Sequence, residues 1–172
     1  AAGLAQVKNN PARKPEEVAA LAAAYDSFFA QYPKQYTQQA ASDMATLCAE
    51  YGNNVPKAIE VLNKAINDPD IRRDIKGKFK LQLGDYYLLA GKLWDASLTY
   101  SQVDKAFEQD AMGEDARFRN AKLAFYRGDF NWAQKQLSVL KSATSELISN
   151  DAIDLSVLIT ENVEDSFLLP LQ

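Results

Sequence analysis

Leu83-Gly84-Asp85-Tyr86-Tyr87-Leu88-Leu89-Ala90-Gly91-Lys92-Leu93-Trp94-Asp95-Ala96 is the stretch that decides the fold. Its skeleton is Leu83-Gly84-x-x-Tyr87, then Gly91, then Ala96-x-x-x-Tyr100. The skeleton returns as Ala121-x-x-Ala124, Gly128 and Ala133-x-x-x-Leu137. A weaker copy precedes both: Met44-Ala45-x-x-Cys48, Gly52 and Ala58-x-x-x-Leu62. The alanines that open each second helix, Ala58, Ala96 and Ala133, stand 38 and 37 residues apart, and the turn glycines 39 and 37. A helical bundle does not need such regularity; a stack of helical hairpins does.

The residue types have a mechanical reason. Gly84, Ala45 and Ala121 fall where paired helices cross, and only small side chains let the backbones approach. Ala58, Ala96 and Ala133 do the same from the second helix, while Tyr100, Leu62 and Leu137 fill the space between units. These residues resemble the tetratricopeptide repeat family, whose pattern runs W-x2-L-G-x2-Y, alanine, then an aromatic residue. The middle unit matches closely. The third has Asn120-Ala121 for Leu-Gly and Ala124 for Tyr, the first has Met44-Ala45 and Cys48 plus one extra turn residue, and all three lack the tryptophan. The resemblance covers about residues 38–147 and looks like a fragment of a longer bacterial protein. It implies an all-α fold: an αα-superhelix of about eight helices, stacked as antiparallel hairpins.

Along the chain, residues 1–14 read as a loop, because Asn9-Asn10-Pro11 and Lys14-Pro15 break helices. One helical domain covers 15–162, with repeat units at about 38–72, 77–110 and 114–147. Its helices are expected at Val18–Tyr32, Tyr36–Tyr51, Pro56–Asn67, Ile75–Ala90, Trp94–Phe107, Glu114–Arg127, Phe130–Lys141 and Asp151–Asn162, the last capped by Asn150. Gly113 separates the second and third units. Val18–Pro33 looks like a second helix without its first, and 151–162 like a first helix without its second. Two readings follow: a piece of a longer array, or a cap at each end. Residues 163–172 form an apolar tail with Phe167, Leu168, Leu169 and Leu171.

Composition narrows the function. The 172-residue chain is 47% hydrophobic, enough for a real core, and its net charge of -4 argues against a nucleic-acid partner. No apolar run reaches the length of a membrane span, so no membrane insertion is expected. With no histidine and one cysteine, the chain offers no Ser-His-Asp or Cys-His pair and no histidine-ligated or structural zinc site. Catalytic residues, metal and cofactor are therefore all expected to be none: not an enzyme. Cys48 takes a core position. Asp151 with Asp154, and Glu161 with Glu164, are solvated helix charges. Trp94 and Trp132 cover hairpin ends, and Arg72-Arg73 is a charged turn.

The resemblance also implies where a partner binds. First helices of such repeats line a concave groove, at positions matching Gln39, Ser42, Thr46, Ala49 and Glu50 in the first unit. In the second they are Lys78, Leu81, Asp85, Leu88 and Leu89, and in the third Asp115, Phe118, Lys122, Phe125 and Tyr126. Those apolar residues suit a protein or peptide segment, or they pack within the array itself. A grip on a heat-shock chaperone's C-terminal carboxylate is excluded. Ser42 and Thr46 replace its lysine and asparagine, and Asp115 replaces a lysine although Arg119 fits. The expectation is a non-catalytic scaffold binding protein in the groove, in bacterial envelope assembly, with a periplasmic or cell-envelope location rather than a cytoplasmic one. The alternatives are a targeting module of a larger enzyme or regulator, or the helical scaffold of a carbohydrate-uptake lipoprotein.

Overall fold

The computed structural model describes residues 2–32 and 37–168, with the side chains among them except at positions 2, 37–38 and 162–168. Every element among these residues is helical. They are Ala2–Asn9 (α1), Pro15–Gln31 (α2), Thr37–Thr46 (α3), a π turn at Leu47–Tyr51, Val55–Asn67 (α4), Arg73–Leu89 (α5), Leu93–Ala106 (α6), Ala111–Tyr126 (α7), Phe130–Leu140 (α8) and Glu146–Leu168 (α9). The chain divides into two compact units, residues 1–96 and 97–172, with the division falling inside α6.

In the N-terminal unit one core joins Leu4 and Val7 of α1, Val18 and Tyr25 of α2, Met44 and Leu47, Leu62 of α4, and Phe79 and Leu83 of α5. The segment expected to be a loop is therefore partly helix α1. Leu4 and Val7, three apart, bury one face with α2, and Gly3 comes so close to Leu21 that a Cβ there would sit 2.7 Å from Leu21 Cδ1. Helix α4 shows its logic most plainly. Asn54 caps it by accepting the Lys57 N–H at 3.1 Å, Pro56 occupies its first turn, and Ala58, Val61, Leu62 and Ala65 bury a single stripe.

In the C-terminal unit Ala121, Ala124, Ala133, Leu137, Leu140, Ala152 and Ile159 of α7, α8 and α9 form the core. The expected break at Gly113 is overturned: α7 begins at Ala111, capped by Asp110, whose carboxylate accepts the Met112 N–H at 3.0 Å. Gly113 is there for closeness, since a Cβ would meet the Phe107 carbonyl oxygen at 2.0 Å. Helix α9 starts at Glu146, not Asp151. Ser145 Oγ accepts the Ile148 N–H at 3.4 Å, so Ser145 takes the capping role expected of Asn150. The helix runs on through the first residues of the expected apolar tail to Leu168; Leu169 and Leu171 lie outside the described residues, as does Pro33. An Arg117–Asp104 pair joins α7 to α6 through two bonds, Nε to Oδ2 at 3.2 Å and Nη2 to Oδ1 at 2.8 Å.

The repeat is visible in the turns themselves. Gly91 and Gly128 hold left-handed backbone, φ +71° and +78°, a conformation that costs any residue with a Cβ. Behind each glycine the helix end is closed identically. The Lys92 N–H donates to the Tyr87 carbonyl at 2.8 Å, and the Asp129 N–H donates to the Ala124 carbonyl at 2.9 Å. The first turn places Asn53, not Gly52, in that position, with φ +48°. Left-handed residues 53, 91 and 128 are then 38 and 37 apart, the same intervals as Ala58, Ala96 and Ala133, and each stands five residues before its alanine. All three alanines are fully buried, as are Leu62, Tyr100 and Leu137.

The first hairpin carries one residue more between its small crossing residue and its turn. Ala45 to Asn53 is eight steps, whereas Gly84 to Gly91 and Ala121 to Gly128 are seven. The π turn at Leu47–Tyr51 takes up the difference, because π bonding loops over one residue more than α bonding does. The closing bond is longer by the same step: the Asn54 N–H reaches the Cys48 carbonyl, six residues back, at 2.8 Å.

Candidate functional site

The first-helix residues expected to line a groove divide into those the fold consumes and those it leaves outside. In α3, Ser42 and Thr46 are consumed. Gln82 of α5 lies across them: its Oε1 accepts from Ser42 Oγ at 2.9 Å and its Nε2 donates to Thr46 Oγ1 at 3.0 Å. Tyr86 completes the set, its hydroxyl accepting from Gln82 Nε2 at 2.9 Å. Burial is the main reason the Tyr86 phenol is held above its usual pKa, although Thr46 and Gln82 pull the other way. Gln39 donates to Asp43 at 2.8 Å; Ala49 is half-buried and Glu50 exposed.

In α5, Leu81 is only 8% exposed and cannot offer a surface to a partner, so that assignment is corrected. Asp85 and Leu88 are half-buried, Lys78 is exposed, and Leu89 is 63% exposed. In α7, Asp115 is gripped by Arg119 through two bonds of 2.9 Å, which joins two residues weighed in excluding the chaperone-tail grip. Phe118 and Phe125 pack on the C-terminal core, with Phe125 5.8 Å from Phe130 and 5.4 Å from Tyr126 between ring centroids. Lys122 is exposed, its Nζ 5.7 Å from the Phe118 ring centre, and Tyr126 stands 76% exposed. Of the expected groove positions, Gln39, Glu50, Lys78, Leu89, Lys122 and Tyr126 are exposed.

Other expectations fall out similarly. Cys48 is buried, and burial raises its thiol pKa. Arg72 donates to Asp74 at 2.7 Å beside the start of α5. Trp94, expected to cover a hairpin end, is 72% exposed. Asp151, Asp154 and Glu161 are exposed; the Glu164 side chain lies outside the described ones.

A recurring polar device escaped the sequence reading. Asn120 of α7 treats Ser97 and Ser101 of α6 as Gln82 treats Ser42 and Thr46: Oδ1 accepts from Ser97 Oγ at 2.8 Å and Nδ2 donates to Ser101 Oγ at 2.9 Å. Gln134 of α8 repeats it on α9, accepting from Ser156 Oγ at 2.7 Å and donating to Thr160 Oγ1 at 3.1 Å. Each time one amide is held between two hydroxyls one helical turn apart, so both ends of a buried or half-buried side chain are satisfied. The only sequence trace is a Ser/Thr pair at i, i+4, a spacing too common to be read without its amide.

Among the described residues no group of three or more acidic or cysteine side chains is placed to hold a metal ion, and no helix is long and apolar enough to cross a membrane. No protein-family model, curated protein or solved structure matches the chain.

Proposed function

We propose that the protein is a non-catalytic scaffold of the tetratricopeptide-repeat kind, whose first helices receive a segment of another protein, in assembly at a bacterial cell envelope. The observation that supports this reading most is the threefold return of one hairpin turn, left-handed at Asn53, Gly91 and Gly128, each five residues before a buried alanine. Such repetition spends sequence on a surface of regular pitch rather than on one enclosed site. The exposed Leu89 and Tyr126 stand near the ends of two first helices that also carry the exposed cations Lys78 and Lys122, which suits an apolar segment carrying acidic residues.

The test compares capture of envelope proteins by the native chain and by two single variants, Leu89→Ser and Tyr126→Ala. Both residues are exposed, so folding should be unchanged within about 0.5 kcal/mol. Phe125 is left alone because it supports the core. Proteins captured by the native chain and lost from both variants would support the groove. Identical capture by all three would reject it.

A further inference from the structure

A cavity of about 590 Å³ opens in the N-terminal unit between α2, the π turn and the start of α4, a size within the range of small-molecule sites. Ala19, Ala22 and Ala23 give it an apolar surface, with Val18, Met44 and Cys48 buried behind them. Its charged groups are Arg13, Lys14 and Lys57 against the single carboxylate of Asp26. Lys57 Nζ lies 3.5 Å from Asp26 Oδ1, so that cation is already balanced. Arg13 is not. Its guanidinium lies 4.6 Å from the Tyr51 ring centre and donates Nη1 to the Asn10 carbonyl at 3.2 Å, and it has no carboxylate partner among the described residues.

That arrangement fixes the plane of a cationic fork and leaves most of its five donors unused. The backbone beside it is unusual too. The π turn carries Tyr51 to the cavity and Cys48 behind its surface, and Asn53 holds a left-handed conformation at its rim. The Lys14 ammonium on the same rim also has no carboxylate partner among the described residues, so the cavity carries surplus positive charge beside an apolar surface, which matches a negative charge on an apolar body.

We infer that this cavity binds a small carboxylate with a hydrocarbon body, its head on Arg13 and its body against Ala19, Ala22 and Ala23. This inference does not rest on the groove reading, and either can fail alone.

The sequence supplies its own probe. The chain has two methionines, Met44 buried directly behind the cavity surface and Met112 in the C-terminal unit. With methyl-labelled methionine, octanoate should shift the Met44 resonance in a saturable way and leave Met112 unmoved. Octanol, which has the body without the charge, and acetate, which has the charge without the body, should bind at least about tenfold more weakly. Arg13→Ala should weaken octanoate by at least about tenfold with the Met112 resonance unchanged, and Arg13→Lys, which keeps the charge but loses the planar fork, should fall between. Octanol matching octanoate, undiminished binding by Arg13→Ala, equal shifts at both methionines, or no shift at Met44 would each overturn the inference.

Discussion

The first hairpin turn and the two that follow reach the same result by different routes. The second and third use a regular helix end and a left-handed glycine, Gly91 or Gly128. The first uses a π turn and a left-handed asparagine, Asn53, yet all three deliver a buried alanine five residues later. The difference teaches that the five-residue step from turn to buried alanine is what the three hairpins share, and that one surplus residue between crossing residue and turn can be absorbed locally. It is absorbed where the cavity opens.

Deleting a residue should break this comparison most sharply. Removing Leu88 from α5 leaves six steps from Gly84 to Gly91 and turns everything beyond by about 100° relative to the crossing residue. No π turn is present there to give the residue back. The expected loss is of the order of the whole folding stability, about 5 kcal/mol or more, seen as a lost cooperative transition in urea. Removing Ala49 from the π turn should instead restore seven steps and keep a cooperative transition, within about 2 kcal/mol of the native chain. Equal damage from the two deletions would mean that the π turn is not a stored insertion.

Overpacking tests the alanines. Ala133→Leu pushes three extra carbons into a crossing with no exposed surface and should cost about 1–3 kcal/mol in urea unfolding. Ala58→Leu should cost less. Its hairpin has the cavity beside it, with Met44 and Cys48 buried behind the cavity surface, so neighbours have room to shift. If Ala58→Leu proves the costlier of the two, the cavity gives the crossing no slack.

The turn residues separate the routes on a finer scale. Gly91→Ala and Gly128→Ala should each cost about 1–2 kcal/mol, since a Cβ is unfavourable at positive φ although nothing lies within 4 Å to obstruct it. Gly91→Asn should cost less than Gly91→Ala, and Asn53→Gly should leave stability nearly unchanged. If Gly52→Ala instead proved the costly change in the first turn and Asn53→Ala the harmless one, the left-handed position would be misplaced by one residue.

These turns show what the sequence could and could not reveal. Gly91 and Gly128 were legible because glycine at a helix end has one physical use, and α4 was legible because its apolar stripe stands between breakers. Asn53 was not, because the neighbouring Gly52 is the more obvious turn former; only the even spacing to Ala58 marks the asparagine. Helix α1 was hidden because Leu4 and Val7 have no stripe of their own and gain meaning only against α2. The groove residues were legible as helix positions but not as surface. Leu81 and Leu89 are the same residue type on one helix, and tertiary packing alone makes one 8% and the other 63% exposed.

The smallest expected effect lies in ionisation, where the two units should respond to opposite ends of the pH scale. Glu114 accepts the Thr144 hydroxyl at 2.6 Å and the Thr144 N–H at 2.8 Å, tying α7 to the segment that leads into α9. Burial pushes its pKa up, but the Thr144 and Ser145 bonds outweigh burial and hold the carboxyl below its ordinary value. A depressed carboxylate contributes stability that is present above its unfolded pKa and is lost as pH falls through the folded one. Acid should therefore loosen the start of α9, and Thr144→Val should reduce that acid sensitivity. Tyr86 has the opposite sign: its raised phenol contributes stability below its unfolded pKa, lost as pH rises through the folded value. Amide hydrogen exchange followed from neutral pH in both directions should show α9 opening first in acid, and α5 with α3 opening first in alkali. Loss of protection in the same helices at both extremes would show that these two groups do not govern the response.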